Sequence, residues 1–111
     1  MTNKLLPENG SCPVATTIDL LSSKWKILIM RDLLTGTMRY SELHTSVVGI
    51  SQKMLTQSLR EMEEDHLVIR EVFPVVPPRV EYHLSDLGES LRPVIGAMSD
   101  WGTDYLAHKE V

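Results

Sequence analysis

The chain has 111 residues, of which 42% are hydrophobic and 23% charged, a balance typical of one globular domain. The net charge of −4 excludes a uniformly basic nucleic-acid coat but not a local basic face. The longest purely apolar run, Ile27–Met30, is far shorter than the ~20 residues that span a bilayer. With one cysteine, Cys12, and no signal-like start, we expect no intrachain disulfide, no membrane partner and a cytoplasmic location.

Charge is distributed unevenly along the chain. Residues 24–60 carry six basic and two acidic side chains, a local charge of +4. Residues 61–111 carry four basic and eleven acidic side chains, and residues 1–23 contribute −1. A basic segment of this kind can meet phosphate while the rest of the molecule faces away from it.

The first elements in chain order are an arm and two helices. Residues 1–11 are polar, and we expect a flexible arm. Pro13 suits the first position of a short helix to about Leu21, with Cys12 at or near its N-cap. Ser22 or Ser23 can cap a second helix that stops before Gly36. Its apolar residues have helical spacing and are Trp25, Leu28, Ile29, Leu33 and Leu34.

A helix–turn–helix follows. A short extended piece at 38–40 precedes a helix that starts near Ser41 and contains Leu43 and Val47. Residues 48–50 form a turn, and Ser51 caps a further helix to about Asp65. The buried stripe of that helix is predicted to consist of Leu55, Leu59 and Met62, with Met54 beside them.

Two extended runs, Val68–Phe73 and Arg79–Leu84, come next. In the second run apolar and polar side chains alternate, as in a half-buried strand. The prolines between the runs lack the N–H that a ladder needs, so they belong at the tip of a hairpin. Arg70 and Glu71 are adjacent, which leaves open the buried face of the first strand.

The last predicted element is a long helix over about 85–107, capped by Ser85 and kinked at Pro93. One apolar stripe runs along it with a 4-3-4-3-4 spacing: Leu87, Leu91, Val94, Met98, Trp101 and Tyr105. We call these six residues the terminal stripe. A small domain does not readily cover a stripe about 19 residues long. We therefore expect part of it to be a dimer interface, with core packing alone as the alternative.

This order of elements predicts a mainly α winged helix-turn-helix domain over residues 12–111, with a small β-hairpin as the wing. Such a domain places one helix in the major groove and its hairpin near an adjacent groove.

The helix after Ser51 carries the side chains expected to bind DNA. Lys53, Thr56, Gln57 and Arg60 lie opposite its apolar stripe at i, i+3, i+4 and i+7. Gln can pair with adenine, and Arg or Lys with guanine. Ser51, Gln52 and the free N–H groups at the helix start suit a phosphate. A solvated face without a partner is the alternative, but the turn, the hairpin and the charge gradient together favour DNA.

The chain resembles the HxlR-type bacterial winged-helix transcription regulators, and more distantly the MarR-type regulators, over about residues 12–105. The stretches that carry the resemblance are Cys12-Pro13-Val14, Lys24-Trp25, Arg39-Tyr40-Ser41-Glu42-Leu43, Gly49-Ile50-Ser51-Gln52-Lys53-Met54-Leu55, Pro77-Pro78-Arg79-Val80-Glu81-Tyr82, Leu84 through Gly88 and Trp101-Gly102. The resemblance implies a homodimer joined through terminal helices that binds double-stranded, inverted-repeat operator DNA and regulates transcription.

Cys12 is a candidate redox sensor. The positive end of a helix dipole favours a thiolate, and the resemblance implies that some relatives sense oxidants, quinones or aldehydes through a cysteine near this position. As the chain has no second cysteine, the products open to it are a Cys12–Cys12 link between subunits, a mixed disulfide or an adduct. The alternative is a small residue that fills a gap, with control by a non-covalent ligand.

The remaining candidates are weaker. Arg79 either reaches the minor groove or a phosphate, or pairs with Glu71 or Glu81. The four histidines show no metal-ligand spacing, and we expect no metal, cofactor or catalytic site. The acidic total charge keeps a second class open, a winged-helix protein-interaction module that does not bind DNA.

Overall fold

A computed structural model describes residues 12–109, so the expected arm over 1–11 and residues 110–111 lie outside the described residues. The elements, in chain order, are α1 Pro13–Leu20, α2 Lys24–Leu33, β1 Met38–Arg39, α3 Tyr40–Ser46, α4 Gln52–Glu64, β2 Val68–Phe73, β3 Arg79–Leu84, α5 Asp86–Glu89 and α6 Arg92–Lys109. The strands form one antiparallel sheet in the order β1-β3-β2. The prediction of a mainly helical domain with a small hairpin is confirmed.

Serine hydroxyls cap three of the helices, and one of them is Ser85, which accepts from the N–H of Gly88 at 3.0 Å at the start of α5. Ser23 accepts a hydrogen bond from the N–H of Lys26 at 3.3 Å, so Ser23 and not Ser22 caps α2. Ser51 accepts from Met54 at 3.0 Å at the start of α4. Each cap pairs an N–H that the helix itself leaves without an acceptor.

The turn between α3 and α4 depends on Gly49. Its φ is +89°, a left-handed conformation that a side chain disfavours. The turn lets α4 pack its apolar side on the core, where Leu55, Leu59 and Met62 are buried as predicted. On α2, Ile29 and Leu33 are buried in the same core. The buried side of the helix–turn–helix therefore packs against α2.

The hairpin β2–β3, residues 68–84, forms the wing. Val68 at the root of β2 is buried, whereas residues 69–72 of that strand are exposed. On β3, Tyr82 and Leu84 are 8% exposed. The buried residues of the wing lie towards its root, and residues 69–72 of β2 lie in solvent, which answers the question of the buried face left open above.

The prediction of one continuous, kinked terminal helix is wrong. The structure has α5 from Asp86, then a break at residues 90–91, then α6 from Arg92. Pro93 is the second residue of α6. Proline lacks an N–H, and its ring clashes with the carbonyl four residues earlier, so it is tolerated in a first turn but not in an interior. Arg92 fixes the new start, because its Nη2 donates to the carbonyl oxygen of Leu34 at 3.0 Å.

The terminal stripe is mostly uncovered in the single chain. Leu91 packs against the core. Exposed fractions of the other five are 55% for Leu87, 37% for Val94, 46% for Met98, 69% for Trp101 and 50% for Tyr105. Ile95, which the stripe did not include, is the residue of α6 that the core buries. Core packing within one chain thus leaves most of this face in solvent.

Candidate nucleic-acid interface

The solvent side of α4 gathers the residues predicted to bind DNA. Gln52, Lys53, Thr56, Gln57 and Arg60 are all exposed and line one shallow groove. We call these five residues the recognition face. The opposite side of α4 is buried. The hydroxyl oxygen of Ser51, at the start of the helix, accepts the capping hydrogen bond from Met54, and its own hydrogen stays available as a donor.

Tyr40, the first residue of α3, also lines this groove. Its Oη lies 3.0 Å from the carbonyl oxygen of Gln52 and 2.9 Å from Oγ1 of Thr56. The phenol thus ties the start of α3 to the first half of α4. Sequence reasoning missed this role, because no periodicity indicates a contact between residues 12 and 16 positions apart.

Glu61, a partly exposed residue of α4, contacts one residue of its own helix and one of α2. Its Oε2 accepts a hydrogen bond from Nε2 of Gln57 at 3.3 Å. Its Oε1 lies 2.9 Å from Nζ of Lys26, whose side chain is only 6% exposed on α2. The hydrogen bond from Lys26, and then that from Gln57, lower the pKa of Glu61 below its ordinary value of 4.5.

Part of the basic charge in residues 24–60 is used inside the fold. Lys26 is buried against Glu61. Nε of Arg31 donates to Oδ1 of Asp32 at 2.7 Å, and this hydrogen bond raises the pKa of Arg31. Oδ2 of Asp32 accepts from Ser46 at 2.6 Å, which joins α2 to the end of α3. The exposed basic residues of the segment are Lys24, Arg31, Arg39, Lys53 and Arg60, and among them Arg31 is paired with Asp32.

Arg79 is held within the wing and is not among the residues that line the groove of the recognition face. Its Nε lies 3.0 Å from Oε2 of Glu81, as an ion pair whose geometry does not make a hydrogen bond. Its guanidinium lies 4.4 Å from the ring centroid of Phe73. Of the two carboxylates considered, Glu81 is the partner; Glu71 lies instead 3.5 Å from Nε2 of His83.

Cys12, at the N-cap of α1, is half-buried and is not among the residues that line the groove. Its carbonyl oxygen accepts from the N–H of Thr16 at 2.9 Å. Two lysines at the start of α2 have partners of their own: Lys24 lies over the ring of Trp25 at 4.5 Å, and Lys26 binds Glu61. Within residues 12–109, no three potential ligands among His, Cys, Asp and Glu gather into a metal cluster, and no helix is long and apolar enough to cross a membrane.

Residues 20–110 match the family model described as HxlR-like helix-turn-helix. The chain belongs to this family. Sequence relatives agree, among them YdeP of Bacillus subtilis, an HTH-type transcriptional regulator that is 46% identical over 94 residues, covering 85% of this chain and 73% of the relative. The protein is therefore a helix-turn-helix transcriptional regulator.

Solved structures of similar regulators share its fold. One is the redox regulator HypR in its oxidised form, with a TM-score of 0.80, 41% identity and coverage of 84% of this chain and 96% of that one. Another is the reduced form of the transcriptional regulator YodB from B. subtilis, with a TM-score of 0.73, 36% identity and coverage of 82% and 90%. The winged-helix prediction for this HxlR-like regulator is thereby confirmed.

Proposed function

We propose that this HxlR-like regulator binds operator DNA sequence-specifically, as a homodimer on an inverted repeat. The observation that carries the proposal is the recognition face: five polar side chains on one exposed side of α4 line one groove, while the other side is fixed in the core. A helix so mounted fits the major groove and presents its side chains to base edges.

The exposed part of the terminal stripe supports the homodimer. Trp101 and Tyr105 stack with ring centroids 5.3 Å apart, and both are at least half exposed. A two-fold axis through this face pairs the stripe with its own copy. The two α4 helices then meet half-sites about 10 base pairs apart, or a multiple of that.

Fluorescence anisotropy with DNA from upstream of the protein's own gene tests the proposal. Lys53→Ala and Gln57→Ala should each weaken binding by about ten-fold or more, with unchanged melting temperatures, because each removes a base contact. Lys109→Ala removes the same charge as Lys53→Ala from the far end of α6 and serves as the control. Unchanged affinity in both α4 variants removes these residues from the interface. If the wild type enriches no fragment of mixed genomic DNA, the interaction-module interpretation takes its place.

For control of binding, we propose oxidation or alkylation of Cys12. Two features support this: Cys12 is half-buried rather than sealed in the core, and HypR, to which this chain is similar, is described as a redox regulator. With diamide as the oxidant, two Cys12 thiols give up two protons and two electrons to form one S–S bond between protomers, and the azo bond of diamide is reduced to a hydrazine. In the presence of a small thiol, a mixed disulfide forms instead.

Binding measured before and after diamide or a quinone separates thiol control from ligand control. DNA binding that weakens on treatment in the wild type and not in Cys12→Ser supports thiol control, and mass spectrometry then identifies the product. DNA binding that is equally tight before and after treatment would leave Cys12 with a structural role only. A non-covalent effector then becomes the candidate, with the apolar groove of α6 between Pro93 and Trp101 as its place.

A further inference from the structure

The recognition face does not present freely rotating polar groups. Its two central residues are each hydrogen-bonded to a neighbouring side chain, Thr56 to Tyr40 and Gln57 to Glu61. Hydrogen-bond chemistry fixes which atoms of each residue are left for DNA. We propose that Tyr40 and Glu61 are positioning residues that set the base preference of α4; this rests on the proposed DNA-binding function.

Whether the Thr56 hydroxyl donates or accepts in its hydrogen bond with Tyr40 follows from the single hydrogen of the Tyr40 phenol. The carbonyl oxygen of Gln52 can only accept, so it takes that hydrogen at 3.0 Å. Between Tyr40 and Thr56, the hydroxyl of Thr56 must then be the donor, over 2.9 Å. Only lone pairs of Thr56 are left for the groove. They match the amino groups of adenine and cytosine, and they disfavour the acceptors of guanine and thymine and a phosphate oxygen.

The orientation of Gln57 follows from the carboxylate of Glu61. An ionised carboxylate only accepts, so the amide must turn its Nε2 towards Oε2 of Glu61, as the 3.3 Å contact shows. One of the two hydrogens of Nε2 lies on the same edge of the amide as Oε1, and it stays available for DNA when Glu61 takes the other. One donor beside one acceptor is the arrangement that pairs with N7 and N6 of adenine.

Lys26 holds Glu61 in place for this task. The buried ammonium takes Oε1 of Glu61 at 2.9 Å, which leaves Oε2 for Gln57. Lys26 lies on α2, in the core side of the domain, and does not line the groove. The orientation of the exposed Gln57 amide is thus coupled, through Glu61, to the buried Lys26.

The experiment begins with selection of bound duplexes from a random library by the wild-type protein. Single base-pair variants of the selected operator are then measured by anisotropy. Gln57→Ala and Thr56→Val identify the base pairs that each residue reads, with discrimination of about 5–150-fold expected for a bidentate contact. Adenine is expected at the position read by Gln57, and adenine or cytosine at the position read by Thr56.

The decisive variants are Glu61→Gln and Tyr40→Phe. Glu61→Gln should reduce discrimination by about three-fold or more, only at the base pair read by Gln57, because a carboxamide no longer dictates which end of the amide faces it. Tyr40→Phe should do so only at the base pair read by Thr56. Glu64→Gln, an exposed position on the same helix, controls for the lost negative charge. The double variant Lys26→Met with Glu61→Gln keeps the test valid should the single change destabilise the fold.

The outcomes are distinct. Full discrimination in Glu61→Gln, in the double variant and in Tyr40→Phe overturns the positioning role while DNA binding stands. An equal loss at every base pair overturns it as well, because it indicates a structural role only. A wild-type protein that selects no sequence overturns the proposed function itself, and this inference with it.

Discussion

Nζ of Lys26 and Oε1 of Glu61 are 2.9 Å apart and join α2 to α4, although the two residues are far apart in the sequence. The lysine side chain is 6% exposed and the glutamate side chain 39%. Losing one partner of this pair costs more stability than losing the other. Without Glu61 the buried ammonium of Lys26 has no counter-charge, whereas without Lys26 the carboxylate of Glu61 can turn to water. The pair therefore acts as a fixed link between the supporting helix and the recognition helix.

The first prediction concerns acid stability. The hydrogen bond from Lys26 lowers the pKa of Glu61, so the stabilising effect of the pair is fully present above the ordinary value of 4.5 and is lost as the pH falls through the lower folded value. Glu61→Gln should lower the melting temperature at neutral pH, and the gap to the wild type should narrow below pH 4.5. Lys26→Met should cost less than Glu61→Gln, because it removes the buried charge.

Thermal melts followed by circular dichroism across this pH range check the prediction. Glu64→Gln is again the matched control, since it changes an exposed carboxylate on the same helix. A gap between wild type and Glu61→Gln that stays constant as the pH falls would show that the ionised pair does not contribute.

Local patterns predicted most of the fold. The bounds of both wing strands, Val68–Phe73 and Arg79–Leu84, were predicted residue for residue, and the end of α4 within one residue. Strand alternation, serine caps and prolines at a tip are signals read within a few positions. The error at the terminal helix had a different cause. The regular apolar spacing over residues 87–105 suggested one continuous helix, whereas Pro93 marks the start of a separate helix, α6.

The part of the site that lies on α4 was predictable, but the contacts that other elements make with it were not. The spacing of Lys53, Thr56, Gln57 and Arg60 on one helix indicated the recognition face. The residues that hold this face in place could not be identified, because Tyr40 and Lys26 contact α4 from other elements. For the same reason, Lys26 was included in the basic segment expected to meet phosphate, although the fold buries this residue.

The second prediction concerns the salt dependence of DNA binding. Arg60 is exposed and lines both the groove of the recognition face and the groove between α4 and the root of the wing, beside Arg70. If Arg60 binds a phosphate, Arg60→Ala should lower affinity and flatten the slope of log K against log salt by about 0.9 per protomer, through lost counterion release. Lys109→Ala should leave the slope unchanged. A lower affinity with the wild-type slope would assign Arg60 to a base contact instead.

The third prediction concerns the junction of the wing with α5. A Cβ on Gly88 would contact the carbonyl oxygen of Leu67 and lie 3.2 Å from Cβ of Leu84. Because backbone cannot move aside as a flexible side chain does, Gly88→Ala should lower the free energy of unfolding by about 1–3 kcal/mol.

Gly96→Ala is the opposite control for this experiment. A Cβ there meets no atom within 4 Å, so the helix-favouring substitution should raise stability by up to about 1 kcal/mol. Urea denaturation measures both values. Equal stability of Gly88→Ala and the wild type would mean that the backbone at Leu67 relaxes without cost.

The last prediction concerns the dimer. Met98 lies near the middle of the exposed part of the terminal stripe, beside Val94 and Trp101 in an apolar groove. Met98→Glu introduces a charge that a self-paired apolar face would bury, so the variant should sediment as a monomer while the wild type sediments as a dimer. Its affinity for a two-site operator should fall steeply, because the second half-site is no longer bound at a high effective concentration.

Thr103→Glu provides the matched control for the dimer. Thr103 is exposed on the same helix, and at about 100° per residue it lies on the side opposite Val94. The same added charge should leave it dimeric, with wild-type affinity for the operator. Sedimentation of Met98→Glu as a dimer would move the subunit contact away from this face, and the exposed Val14 and Ile18 of α1 would be the next residues to substitute.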